Sequence, residues 1–337
     1  MRAHRTILVT GGAGFVGGHL VEALLERRYR VVCLDLMTYA GSLAHLRRAM
    51  DRYPHRIVDR LWSPRAATVP LAIVRGDIND AAMVGGLLAR CDGIIALAAE
   101  THVDFSYHTP GTFVRANING THALLEALRN AGAEKRMLHV STDEVYGERS
   151  RGQSTEADPL RPRNVYAATK ACGDLLVRAY TDVFGLDVVT VRPCNLFGPG
   201  QQPKDLIPKT FAYLLAGRKM TVHGDGRHRR EYLYVRDAVR QMIAIYERGR
   251  RGEAYNLASG VHRTTLQVVR AVARSLGRDP AAVMTFVEDR PNPDRRYAGD
   301  NRKLRRLLGG RFKLTPFAEV IDLMRDEFVR HSPPLLP

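Results

Sequence analysis

The run VTGGAGFVGGHL, Val9 to Leu20, decides how the rest of the chain is read. The apolar residues TILVT lead into it from Thr6, and Val16, Leu20, Ala23 and Leu24 follow on one helical face, so it joins a strand to a helix. Gly11, Gly14 and Gly17 fall in the turn. Without side chains there, backbone N–H groups and the positive end of the helix can approach a pyrophosphate. A plain tight turn also collects glycines, and context separates the two: the next apolar run, VVCLD from Val31, ends on Asp35, whose carboxylate can take ribose hydroxyls. Leu36 and Met37 follow with no cation for a 2′-phosphate, so the expected cofactor is NAD rather than NADP.

The alternation continues through LAIVRGD from Leu71, GIIALAA from Gly93, RMLHVST from Arg136 and DVVTVRP from Asp187. Strands alternating with helices imply a parallel sheet covered on both faces. The expected fold class is α/β: a Rossmann-type doubly wound parallel sheet with a smaller C-terminal α/β substrate-binding domain. Residues 1–193, with a return segment near 228–250, would form the first domain. Residues 194–337, which are irregular with late helices near Leu266–Leu276 and Phe317–Phe328, would mainly form the second. RYPHRIVDRLWSPRAATV, residues 52–69, interrupts the pattern with two prolines and the only Trp, and reads as an insertion or mobile loop.

Composition narrows the partners. Lys and Arg total 51 against 35 Asp and Glu, a net charge of +16, but the clusters RHRR, RGRR and RKLRR, beginning at Arg227, Arg248 and Arg302, are separated in sequence. They lack the interleaved aromatics of a single-strand binder, so a solvated surface is expected and nucleic acid is not. The four cysteines have neither metal-ligand spacing nor disulfide density, which suggests a reducing compartment and no metal. No apolar run reaches the roughly 18 residues of a membrane span, and the first strand begins too early for a signal peptide. The expectation is a soluble, cytoplasmic protein.

In NVYAATKA, Tyr166 and Lys170 are four apart and share one face if helical. A phenol is a poor base near neutrality, and a neighbouring ammonium favours the phenolate, so Lys170 is expected to tune Tyr166. Such a pair with NAD can take a proton from a sugar hydroxyl as hydride leaves the same carbon, giving a ketone. HVSTDEVYG, His139 to Gly147, adds Thr142, Asp143 and Glu144 at a strand end. Simple oxidation needs neither carboxylate. A C4 ketone acidifies the C5 proton, and two acids can then divide the work, one taking that proton and the other protonating the departing C6 hydroxyl.

TGGAGFVG, DLMTYAG, LAAETHVD, STDEVYG, YAATKA, CNLFGP, LIP, REYLYVRD, AYNLASG and DRPNPDRRYAGD, spread over nearly the whole chain, resemble the dTDP-glucose 4,6-dehydratase family. That family is a branch of the extended short-chain dehydrogenase/reductase superfamily. The resemblance implies a redox-neutral lyase in which tightly held NAD takes hydride from C4 and returns it at C6. It makes Tyr166 the oxidation base, Lys170 its partner, Thr142 a ligand of the C4 hydroxyl, Asp143 the acid at C6 and Glu144 the base at C5. Implied cofactor contacts are Gly11, Gly14, Phe15, Val16, Gly17, Asp35, Asp77, Ile78, Ala98 and Ala99, with Tyr166 and Lys170. Implied substrate contacts are Thr142, Asn195, Lys204, Leu206, His223, Arg230, Asn256, Arg290 and Tyr297, the two arginines acting as phosphate forks. A homodimer through Phe113–Arg129 and Tyr166–Tyr180 is also implied.

Three departures touch the substrate end. Pro203-Lys204-Asp205-Leu206 reverses the charges of the usual Pro-Glu-Lys-Leu, His223 replaces a common Tyr, and Asn292-Pro293 replaces Gly-His. The competing readings are a 5,6-dehydratase, a 4-epimerase or a uronate decarboxylase, and from another class an inactive NAD-binding protein that engages nucleic acid. Asp143 and Glu144 argue against the epimerase and decarboxylase, and the full set with Tyr166 and Lys170 argues against the inactive protein.

Overall fold

The strands named above are hydrophobic throughout rather than alternating, and the computed structural model covers them on both faces. It describes residues 5–59, 68–132, 134–289 and 294–331. Thirteen strands are assigned among these residues: β1 Thr6–Thr10, β2 Arg30–Asp35, β3 His55–Asp59, β4 Leu71–Arg75, β5 Gly93–Ala96, β6 Arg136–Val140, β7 Asp187–Pro193, β8 Asn195–Phe197, β9 Met220–His223, β10 Arg229–Tyr234, β11 Ala254–Leu257, β12 His262–Thr264 and β13 Met284–Val287. Eight form one sheet in the order β11-β7-β6-β5-β1-β2-β4-β3, every pairing parallel.

Successive side chains of a strand serve opposite layers. Ile7 and Val9 of β1 pack with Leu20 and Leu24 of the helix Phe15–Glu26, while Leu8 between them joins Val84, Leu124 and Val177 on the other face. The strand order reverses at β1, which has β2 on one side and β5 on the other. In such sheets the crevice beyond the C-terminal strand ends is the natural binding place.

Part of the 52–69 stretch is neither insertion nor mobile loop. His55–Asp59 is the edge strand β3, in parallel register with Leu71–Arg75. Pro54 stands just before it, where a missing N–H costs no ladder bond. Residues 60–67 lie outside the described residues. The return to the large sheet also runs later than expected: the helix Val235–Arg248 covers it and β11 pairs with β7, whereas most of 228–234 belongs to a small sheet, β12-β10-β8. β9 and β13 form a third, two-stranded sheet.

The last helix, Phe317–His331, reaches back to the loop after β8. Both carboxylate oxygens of Glu327 accept the Gly200 N–H, at 3.1 and 2.9 Å, and Phe328 stacks on Phe211. Among the described residues no helix is long and apolar enough to cross a membrane.

Candidate active site

A cleft of about 1950 Å³ opens at the C-terminal ends of the large sheet and extends under the smaller sheets. A drug-sized ligand needs roughly 300–1,000 Å³, so there is space for a dinucleotide and a second large ligand.

The glycine turn forms one end. Gly11 has φ +69°, and a Cβ there would stand 2.7 Å from the Ala98 nitrogen; one on Gly17 would stand 2.1 Å from the Gly11 carbonyl oxygen. Only glycine permits this approach of turn, helix and neighbouring strand. Gly14 caps the helix, leaving the first-turn N–H groups of Phe15 and Val16 directed at the cleft as an anion site. Asp35 accepts the N–H of Ala13 at 2.9 Å and of Met37 at 2.8 Å, and each oxygen keeps a second lone pair for a ribose hydroxyl. Asp77, Ile78, Ala98 and Ala99 continue this wall, Asp77 being fixed by Asn79 and by Arg115 at 2.8 Å. The donors, the glycine cradle and Asp35 fit NAD.

Thr142, Asp143, Glu144, Tyr166 and Lys170 meet in the middle of the cleft. β6 ends at Val140, and Thr142 caps a single 3-10 turn, Asp143–Tyr146, its hydroxyl accepting the Glu144 N–H at 3.3 Å. The helix Val165–Phe184 carries Tyr166 and Lys170. It is capped by Asn164, whose Oδ1 accepts the Ala167 N–H at 2.8 Å, and it ends on left-handed Gly185. Burial, then the nearby Glu144 and Glu231, push the Asp143 carboxyl well above the carboxylate range against the pull of Arg230. Burial also raises Glu144, with a bond from Asn164 Nδ2 at 2.9 Å opposing the rise.

Burial, then Glu144, push the Tyr166 phenol up, with Thr142 pulling the other way. Lys170 donates one of its three protons to the Val140 carbonyl at 2.7 Å, and its burial lowers it to about 8, opposed by Asp174.

Asn195, Lys204, Leu206, His223, Arg230 and Tyr297 line the opposite wall. Arg230 lies over the Tyr297 ring, 4.7 Å from its centroid, and donates to the Asp294 carbonyl at 2.9 Å. Tyr297 donates to the Asp294 carboxylate and contacts Glu144 Oε2 at 3.4 Å. The Lys204 ammonium sits 4.5 Å from the centroid of Tyr39, whose hydroxyl donates to Glu100 at 3.0 Å. The reversed-charge segment thus reaches across to the cofactor side.

Asn256 is a correction. Expected at the substrate, it is wholly buried in β11, where its amide accepts from Tyr146 at 2.8 Å and donates to the carbonyls of Ser154 at 2.9 Å and Asp300 at 3.3 Å. It does not line the cleft. Arg290, Asn292 and Pro293 lie outside the described residues. Sequence reasoning missed Asn164, although an Asn immediately before an expected helix is a cap signal. It also missed Tyr39 and Glu100, which no local pattern joins to Lys204.

Comparison with known proteins adds three kinds of likeness. Residues 7–258 match the model of the NAD dependent epimerase/dehydratase family. The low-salt glycan biosynthesis protein Agl12 of Haloferax volcanii is 42% identical over 302 residues, covering 89% of this chain and 92% of that one. A dTDP-glucose 4,6-dehydratase of Xanthomonas campestris pv. campestris is 40% identical over 323 residues, covering 90% and 88%. The crystal structure of DesIV, a dTDP-glucose 4,6-dehydratase from Streptomyces venezuelae with NAD bound, superposes with a TM-score of 0.87 at 37% identity, covering 97% of both chains.

Proposed function

This chain belongs to the NAD dependent epimerase/dehydratase family and is an NAD-dependent enzyme acting on a nucleotide sugar, and from that premise we propose that it is a 4,6-dehydratase. It converts a nucleoside-diphosphate hexose of the dTDP-glucose type to the 4-keto-6-deoxy sugar. The observation that carries this reading is the pair Asp143 and Glu144, both facing the cleft beside Tyr166 and both raised by burial.

NAD, when bound, supplies the acceptor for hydride from C4 and the donor that returns it at C6. Thr142 orients the C4 hydroxyl and Tyr166 takes its proton, with the Lys170 ammonium as its partner on the same helix face. The resulting ketone acidifies C5–H. Glu144 removes that proton, and Asp143, kept protonated by burial and by the negative charge of Glu144, gives a proton to the C6 hydroxyl as it leaves as water. An epimerase or decarboxylase in this family needs Tyr166 and Lys170 but has no work for a protonated carboxyl at C6. Arg230, Asn195 and His223 hold the diphosphate and base end.

A homodimer accompanies this reading. Val114, Leu175, Val183 and Phe184, exposed at 42%, 58%, 72% and 45%, lie on the stretch Val114–Asn119 and the helix Val165–Phe184, and a second copy would cover them. Light scattering in solution tests it. The function is tested by mass spectrometry of the protein incubated with dTDP- and UDP-linked glucose, N-acetylglucosamine and glucuronate. Loss of one water without net reduction of NAD is the expected result. An unchanged mass with a new isomer, or loss of carbon dioxide, overturns it.

A further inference from the structure

Asn164 uses both ends of its amide. Its Oδ1 accepts the Ala167 N–H at 2.8 Å, capping the helix that carries Tyr166 and Lys170. Its Nδ2 donates to Glu144 Oε2 at 2.9 Å. The first bond fixes the second: a flipped amide would set NH₂ against the Ala167 N–H, so the cap dictates that a donor faces Glu144. The residue is 8% exposed, and water cannot readily replace it.

We propose that Asn164 is a positioning residue that ties the helix cap to Glu144 and holds that carboxylate ionised and aligned. The inference rests on Glu144 being the base at C5. Burial works against ionisation there, and so does Asp294 across the cleft; Arg230 on β10 assists it, and Tyr297 offers a longer contact of 3.4 Å. Asp143 on the same turn and Tyr166 on the capped helix also face Glu144, and both are themselves raised by its charge. The Asn164 bond is the shortest of the side-chain contacts named here to Glu144, and it comes from the helix end whose dipole favours an anion. A second function follows for a residue that would otherwise count only as a cap.

Replacing the cap with another good cap separates the two roles. Asn164→Ser keeps a hydroxyl for the Ala167 N–H but is too short to reach Glu144. Its melting temperature is expected to stay close to that of the parent, while the acid limb of the kcat profile moves up by roughly one pH unit, because a base lacking its donor is protonated until higher pH. Activity returns on the alkaline side. Infrared difference spectra against Glu144→Gln read the same shift in the carboxyl midpoint without turnover. Asn164→Asp, which keeps the cap but faces Glu144 with an acceptor, shifts the midpoint further and serves if the Ser variant does not fold. An unmoved midpoint in a folded variant overturns the proposal, as does an equal loss of activity at every pH. If the parent dehydrates no nucleotide sugar yet the midpoint still moves, the reading of the function fails while the hold of Asn164 on the Glu144 carboxylate stands.

Discussion

The hydroxyl of Tyr146 donates to Oδ1 of Asn256 at 2.8 Å, beneath the floor of the cleft. Arg192 donates to that hydroxyl at 2.7 Å and to Asp174 at 2.8 Å, so the pair belongs to a buried polar network that supports the site from below. Asn256→Leu would strand the Tyr146 hydroxyl and two carbonyls. Stability is expected to fall by roughly 1–3 kcal/mol in urea unfolding, with KM for the nucleotide sugar nearly unchanged. A raised KM at parental stability would return Asn256 to the substrate.

Tyr166→Phe removes the proposed oxidation base with little change in shape. kcat should drop by about 10²- to 10⁴-fold, while NAD extracted from the purified protein stays at its parental level. Retained turnover would remove Tyr166 from the chemistry.

Lys170 pairs function with a cost in stability. Its ammonium is buried and lowered from the usual 10.5 to about 8, so between those values the unfolded chain binds more protons than the folded one and stability rises with pH. At neutral pH the buried charge costs the fold on the order of 1–3 kcal/mol. Lys170→Met is therefore expected to melt higher than the parent at pH 7 and to lose activity. The gain should shrink as the pH approaches 10, which thermal melts across a pH series will read.

Asp143 runs in the opposite sense. Its carboxyl is raised, so above the ordinary carboxylate range the folded chain retains a proton that the unfolded chain has lost, and the stability from this group declines as pH rises through its folded value. Activity that needs the acid declines on the same limb. Asp143→Asn should remove that decline from the stability curve. It should still exchange hydride at C4 and release water slowly, which isotope exchange and product mass will show. Unchanged dehydration would take Asp143 out of the mechanism.

The large sheet could be read from sequence because buried parallel strands are long apolar runs with nothing else to explain them. β3 could not, since an edge strand needs only one covered face and His55–Asp59 looks like any polar connection. Among the site residues, Gly11, Gly17 and Asp35 were legible because backbone geometry and strand position constrain residue type directly. Asn256 was misread because an Asn buried for carbonyls 44 and 102 residues away leaves no local trace. The spacing of Tyr166 and Lys170 likewise says nothing of the Val140 carbonyl, which takes one of the three ammonium protons.

The grip of Glu327 on the Gly200 N–H links the final helix to the loop that carries Lys204. Gly200 and Lys204 are separated by only three residues, so the last helix anchors one end of the segment that brings the Lys204 ammonium to the Tyr39 ring. A helix formed at the far end of the chain thus closes on a loop of the cleft wall, and the wall is complete only once that helix has docked.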